Sequence, residues 1–325
     1  MATEFESLFS AAQVEIRSGD WLAGYDLLRR AIAAAQGGAE PDRLTMAISQ
    51  CAFAAVRSGD LKAGISFARE AVARQETKGT EDKGFVEDLY NVGTFLALSE
   101  ELAEARPYFE RAVDMQRRLS GDDDPMTVKL SIYLAQSYVL IGAYDIGFPL
   151  IEQIFQTCQR LNYVNNIVEA VEVFTECLAQ RKKYGLIYQI CTEQLTYLYN
   201  IYGGMNPAMI PALLSFGKSY MIQGDFKNAE EYFNTARNLG LDLLGPDDIL
   251  TASAADCLGA LAVSQGQYDM ALRAFNELLR VAKLNQDYSL ALHAIEQACA
   301  CLRATGRAEE AAWLEASANQ KIGFN

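Results

Sequence analysis

The sequence predicts an all-α fold, a superhelix of about eight helical hairpins, and three observations carry that expectation. The first is a recurring phrase of Gly, a polar or small residue, then an aromatic or Leu: GDW at 19–21, GDL at 59–61, GAY at 142–144, GDF at 224–226 and GQY at 266–268. Followed through weaker copies, its last residue marks Trp21, Leu61, Leu102, Tyr144, Tyr184, Phe226, Tyr268 and Ala308, at intervals of 40, 41, 42, 40, 42, 42 and 40 residues. A fixed period of that size signals stacked supersecondary units that curve into a superhelix. The second observation is apolar spacing of three and four residues on both sides of each turn. In residues 89–113, Leu89, Val92, Gly93 and Leu96 form one stripe, and Leu102, Ala105, Phe109 and Ala112 the next.

The third observation is a seam of small residues. Ala12, Ala52, Gly93, Ala135, Thr175, Gly217, Gly259 and Cys299 recur in the first helix of each unit. Gly24, Gly64, Ala105, Gly147, Ala229, Ala271 and Ala311 recur in the second, and only Ile187 breaks the series. Small side chains there let the two axes approach to the roughly 8–10 Å of packed helices.

These signals divide a single array spanning 1–325 into repeats over 5–41, 42–82, 83–124, 125–165, 166–206, 207–247, 248–288 and 289–322, the last with a terminal cap. The prolines agree with the division: Pro41, Pro125, Pro207 and Pro246 fall between units, Pro211 opens a first helix, and Pro107 and Pro149 share one position in the second helix. The fifth unit carries Lys182-Lys183 where others carry Gly, so it reads as a weak joint that flexes around 167–200. The eighth replaces the usual aromatic of the second helix with Glu315, as a polar cap would.

These residues and the turn phrase resemble the tetratricopeptide-repeat (TPR) family over essentially the whole chain. The ordinary period of that family is 34 residues, and the longer period here is similar to that of kinesin light chains. The linkers LSGDDDP at 119–125, YGGMNP at 202–207 and LGPDD at 244–248, with Pro107 and Pro149, resemble light-chain phrases, although the light-chain His before Pro is missing from all three linkers. The resemblance implies a right-handed α–α solenoid that binds protein partners, and a bacterial kinesin light chain homologue with a tubulin-like filament as partner is the nearest relative it points to. The heptad segment by which light chains join their motor has no counterpart before Phe5. The resemblance therefore implies no contact with a kinesin motor.

Composition excludes several function classes. The chain has 325 residues, 28 basic against 42 acidic, for a formal charge of −14. Such a balance disfavours phosphate-backbone binding, so nucleic acid is not an expected partner. The start MATEFESLF carries no basic residue before its short apolar patch, and charged residues interrupt every apolar run. Neither a signal peptide nor a membrane span is expected. Seven scattered cysteines fit a reducing compartment, so the expected location is cytoplasmic.

A search for chemistry gives no enzyme, no metal site and no cofactor. His293 is the sole histidine, Cys299 and Cys301 point to different sides of a helix, and no phosphate-binding glycine loop occurs. Asp122, Asp123 and Asp124 lack the spaced ligands of a calcium loop and read as solvated linker charge.

Function is therefore expected on the first helices, which line one wall of the stack. The N-terminal half presents Phe9, Gln13, Gln50, Phe53, Arg57, Tyr90, Asn91, Tyr133 and Gln136. Rings alternating with amides suit an extended peptide, since rings bury area while amides bond its backbone. The C-terminal half presents Glu169, Glu172, Glu176, Asp256 and Glu296, with Lys218 as the exception, an acidic wall suited to a basic segment. The Lys, Asn and Arg set by which some TPR domains clamp a terminal carboxylate is not found in consecutive units. Two functions compete: a non-enzymatic adaptor binding a protein through this wall, and a peptide-sensing regulator whose superhelix closes on a short peptide.

Overall fold

The computed structural model describes residues 4–35, 40–79, 81–285 and 287–319, and every described element is helical. Among the described residues sixteen α-helices follow one another, each hairpin consisting of an odd-numbered first helix and an even-numbered second helix. They are α1 (Glu4–Arg17) and α2 (Trp21–Ala34), α3 (Pro41–Arg57) and α4 (Leu61–Lys78), α5 (Lys83–Leu98) and α6 (Leu102–Ser120), α7 (Pro125–Leu140) and α8 (Tyr144–Leu161). Then come α9 (Val164–Gln180) and α10 (Tyr184–Tyr202), α11 (Ile210–Ile222) and α12 (Phe226–Leu243), α13 (Ile249–Ser264) and α14 (Tyr268–Leu284), α15 (Tyr288–Ala304) and α16 (Ala308–Asn319). A short 3-10 turn, Pro207–Met209, leads into α11. The chain forms two compact units, Met1–Leu161 and Asn162–Asn325, each of four hairpins.

The turn phrase has a direct physical meaning. All eight marker residues are the first residue of a second helix. Two positions earlier the backbone turns left-handed, with φ between +56° and +94° at Gly19, Gly59, Glu100, Gly142, Lys182, Gly224, Gly266 and Gly306. Glycine suits this geometry because it has no Cβ to clash. Where the middle residue is Asp it caps the coming helix: Asp20 accepts from the Ala23 N–H at 3.0 Å, Asp60 from Ala63 at 3.0 Å and Asp225 from Asn228 at 3.2 Å. Such a cap contributes about 1 kcal/mol.

The small-residue seam is where first and second helices touch. A Cβ built on Gly93 would stand 2.8 Å from the Phe109 ring, one on Gly217 would clash with Phe233, and one on Gly259 would lie 2.8 Å from Phe275. The three rings are at most 2% exposed and sit at one repeat position, so each fills the space that the facing glycine leaves. In the fifth repeat the corresponding residues are Thr175 and Cys191, with Ile187, 0% exposed, occupying the second-helix small position. There α9 packs no more extensively on α10 than on α11.

Neighbouring repeats are also tied by ion pairs. Arg118 at the end of α6 reaches back to Glu81 at 2.6 Å and Arg160 of α8 to Asp123 at 2.6 Å, while Lys78 of α4 pairs within its own hairpin with Asp42 of α3 at 3.1 Å. The aspartates expected as solvated linker charge have partners: Asp123 takes Arg160, Asp122 takes Arg117 at 2.5 Å, and Asp124 caps α7 through the Met126 and Thr127 N–H groups. All of these ion pairs are exposed, so each contributes only about 0.2–1 kcal/mol.

Candidate functional site

The first-helix residues of the first unit form a face with an aromatic centre. Phe53 of α3 is 43% exposed, and its ring meets the edge of Trp21 with centroids 5.5 Å apart. The Arg57 guanidinium, one turn beyond Phe53, lies 5.2 Å from the Trp21 ring centroid. Arg57 pairs with no carboxylate among the described residues, so its charge is held by stacking and stays open to an incoming group. Met46, two turns before Phe53 on α3, is 45% exposed.

Tyr90 and Tyr133 come together across the third and fourth repeats, with centroids 5.2 Å apart at 66°. Both also pack on Phe109, at 6.2 and 6.4 Å, and both are half-buried against the core. They therefore brace the joint between repeats as much as they present a surface. Gln13, Asn91 and Gln136 are half-buried on the same helices. Gln50 is half-buried too, and its Oε1, like the Thr94 Oγ1, has no hydrogen-bond partner. Both of these oxygens are buried, so they carry an unsatisfied acceptor beneath the face rather than on it.

Phe9 departs from the sequence expectation. It is 0% exposed, stacked on Phe5 with centroids 5.7 Å apart, and covered by Arg43 at 5.0 Å, which Glu6 holds at 2.5 Å. At the start of the array this position faces the core of the first hairpin, so its ring meets no ligand.

In the second unit Glu172 and Glu176 of α9 and Lys218 of α11 are exposed. Loss of surrounding water pushes the Glu172 carboxyl up and its neighbours Glu169 and Glu176 add to this, while the Lys218 charge opposes it. Farther along, His293 Nε2 lies 3.2 Å from Asp256 Oδ1.

One residue that sequence reasoning missed lies beneath the first-unit face. Asp88 of α5 is 3% exposed, accepts from the Ser49 hydroxyl at 2.5 Å and from the Gln75 amide at 3.3 Å, and burial pushes its carboxyl up to about 6. Its two donors belong to α3 and α4, so this carboxylate ties the second repeat to the third. The single signal in the sequence was an acidic residue inside the apolar stripe FVEDLYNV.

The tetratricopeptide-repeat model matches residues 86–146 and 209–284, which hold hairpins from both units. The match supports the tetratricopeptide-repeat family for the hairpins that it covers. Solved structures with TM-scores above 0.5 share its fold. A tetratricopeptide repeat protein from Parabacteroides merdae is 13% identical over 91% of this chain and 99% of that one, with a TM-score of 0.54. The apo quorum sensor NprR of B. thuringiensis is 11% identical over 99% of this chain and 89% of that one, also with a TM-score of 0.54. The kinesin light chain TPR-like repeats of Podosopora anserina are 14% identical over 74% of this chain and 97% of that one, with a TM-score of 0.44. A search of curated proteins returns no match. Identities this low speak to the fold alone. No described helix is long and apolar enough to cross a membrane.

Proposed function

We propose that this TPR protein is a non-enzymatic cytoplasmic adaptor that takes up an extended segment of a partner protein along the first-helix face of its first unit. The observation that carries this reading is Phe53, an exposed ring held by Trp21 beside an Arg57 that pairs with no carboxylate among the described residues. The ring supplies apolar area, the guanidinium a charge-assisted bond, and Gln13, Gln50, Asn91 and Gln136 supply groups for the segment's backbone. Glu172, Glu176 and Lys218 give the second unit an acidic first-helix face of its own, suited to a basic stretch.

The decisive variant is Phe53→Ala combined with Arg57→Ala, since both side chains are exposed and their loss leaves the helices intact. Replacing Tyr90 and Tyr133 would strip the packing around Phe109 and confuse binding with folding. Partners captured with the parent protein and lost with the double variant support the reading, and an unchanged set overturns it. The tubulin-like filament, supported by the resemblance of period and linkers to kinesin light chains, is tested by co-sedimentation with polymerised filaments. A chain that stays in the supernatant rejects that partner. The peptide-sensing alternative requires the chain to compact in small-angle scattering when a peptide panel is added.

A further inference from the structure

Residues 194–217 form the longest uncharged run in a chain that is otherwise 22% charged and carries −14 overall. Part of this run is core, but its middle is open. Tyr199 is 50% exposed, Tyr202 46%, and Ile201 and Met205 are exposed beside them. Neither Tyr199 nor Tyr202 uses its side chain to bond another described part of the chain.

Repeat register extends the patch into the next hairpin. Residues 42 apart hold equivalent positions in these two repeats, so Ile201 and Tyr202 at the end of α10 correspond to Leu243 and Leu244 at the end of α12. Leu243 is 52% exposed and Leu244 is exposed as well. Both linkers join a second helix to the next first helix, which puts them at the same end of their hairpins. In the first unit the same edge is charged: Arg118 and Arg160, which latch Glu81 and Asp123, correspond to Asn200 and Asp242 in the second. Neither of these two positions of the second unit carries a cation, and its linker latch comes instead from Arg280 of α14 on Asp247 at 2.5 Å.

We propose that this edge, built from Tyr199, Ile201, Tyr202, Met205, Leu243 and Leu244, is a self-association surface that seats a second copy of the chain. The six side chains leave on the order of 600 Å² open, close to the roughly 800 Å² per partner of a standard interface. Their centre carries no charge, so a two-fold axis through it brings no like charges together. An oppositely charged partner would find nothing to pair with at the centre, and Arg280 at the border, held by Asp247, leaves no free cation to draw in an anionic bilayer. Asp242 borders the patch, while Asp247 is paired with Arg280 and Asp248 caps α13 through the Leu250 N–H. Across a two-fold the Asp242 carboxylates repel, so salt strengthens the association.

Sedimentation of the full chain tests this directly. The expected result is a monomer–dimer equilibrium that shifts toward dimer as salt rises, and that Tyr199→Glu with Tyr202→Glu weakens at least about tenfold while helicity is retained. A second probe uses the burial of all seven native cysteines. Tyr202→Cys adds an exposed thiol near the axis and should cross-link to its own copy under mild oxidation, whereas Phe53→Cys should not. A chain that stays monomeric at every concentration and salt overturns the proposal. So does a dimer indifferent to the glutamate pair, or one that cross-links through Phe53→Cys and not through Tyr202→Cys.

Discussion

In the third repeat Gly93 of α5 faces the Phe109 ring of α6, with Ala105 one turn away; in the fifth repeat the same three places hold Thr175, Cys191 and Ile187. The first arrangement is a ring seated on a bare backbone, 2% exposed and backed by Tyr90 and Tyr133. The second puts the bulk at the other end of the contact. Thr175 turns its hydroxyl to the Ser215 Oγ at 2.9 Å, tying α9 to the following repeat. A third difference lies five residues before the seam, where the third repeat buries Asp88 and the fifth buries Ala170. Hairpins with one period can therefore be held in different ways: by a ring inside the pair, or by a bond to the next pair.

The largest expected effect separates the two seams. Phe109→Ala leaves a ring-sized void and should destabilise the first unit by about 3–5 kcal/mol, whereas Cys191→Ala at the equivalent place removes one atom and should cost about 1 kcal/mol. Urea unfolding followed by circular dichroism reads both, and equal losses would break the comparison. Next comes the buried carboxylate. Burial raises Asp88 from an ordinary 3.8 to about 6 in the fold, so protonation favours the folded state. Its contribution is absent well above pH 6, grows as pH falls through that value, and is complete below about pH 4. The parent chain should gain up to about 3 kcal/mol over that window from this group. Asp88→Asn should flatten the gain and stabilise the protein at neutral pH, and an unaltered pH profile would remove Asp88 from the account. Smaller again is Gly93→Ala. Alanine favours a helix by about 1 kcal/mol over glycine, yet overpacking costs about 1–3 kcal/mol. Since the Phe109 ring is enclosed and cannot retreat, a net loss of about 1 kcal/mol is expected, and a rise in the unfolding midpoint would show that the seam has slack.

Much of the fold could be read because one geometric demand recurs eight times. A left-handed residue, a cap and an aromatic at fixed offset leave a periodic trace, and each marker residue indeed starts a second helix. The seam was legible for the same reason, down to the exception at Ile187. The candidate face was less so. Helical spacing places Phe9 and Phe53 on comparable faces, but Phe9 packs on Phe5 in the first hairpin while Phe53 stands open. That distinction depends on what the neighbouring helix supplies, which no single-helix period records. Asp88 and the linker residue Asp123 escaped for a related reason: their partners lie 13 to 39 residues away, and local charge looks solvated until those partners arrive.

The smallest effect concerns the turn of the fifth hairpin. Lys182 holds φ at +56° where most repeats place glycine, and Glu100 does the same in the third repeat at +64°. A side chain in that conformation costs about 1–2 kcal/mol, while glycine loosens the unfolded chain by about 0.4–1 kcal/mol. Lys182→Gly should therefore stabilise its hairpin by about 0.5–1 kcal/mol, and Glu100→Gly should do likewise. The two variants will differ in where the gain shows. The ring at Phe109 already keeps α5 and α6 together, so relief of the turn there adds to a firm contact and moves only global unfolding. Without such a ring, α9 and α10 should open locally, with amides over 167–200 exchanging faster than those of the third and sixth repeats. Lys182→Gly should slow that exchange severalfold. Exchange over 167–200 as slow as in the third repeat would mean that Ile187 and the Thr175–Ser215 bond close the fifth repeat as well as a seated ring closes the third.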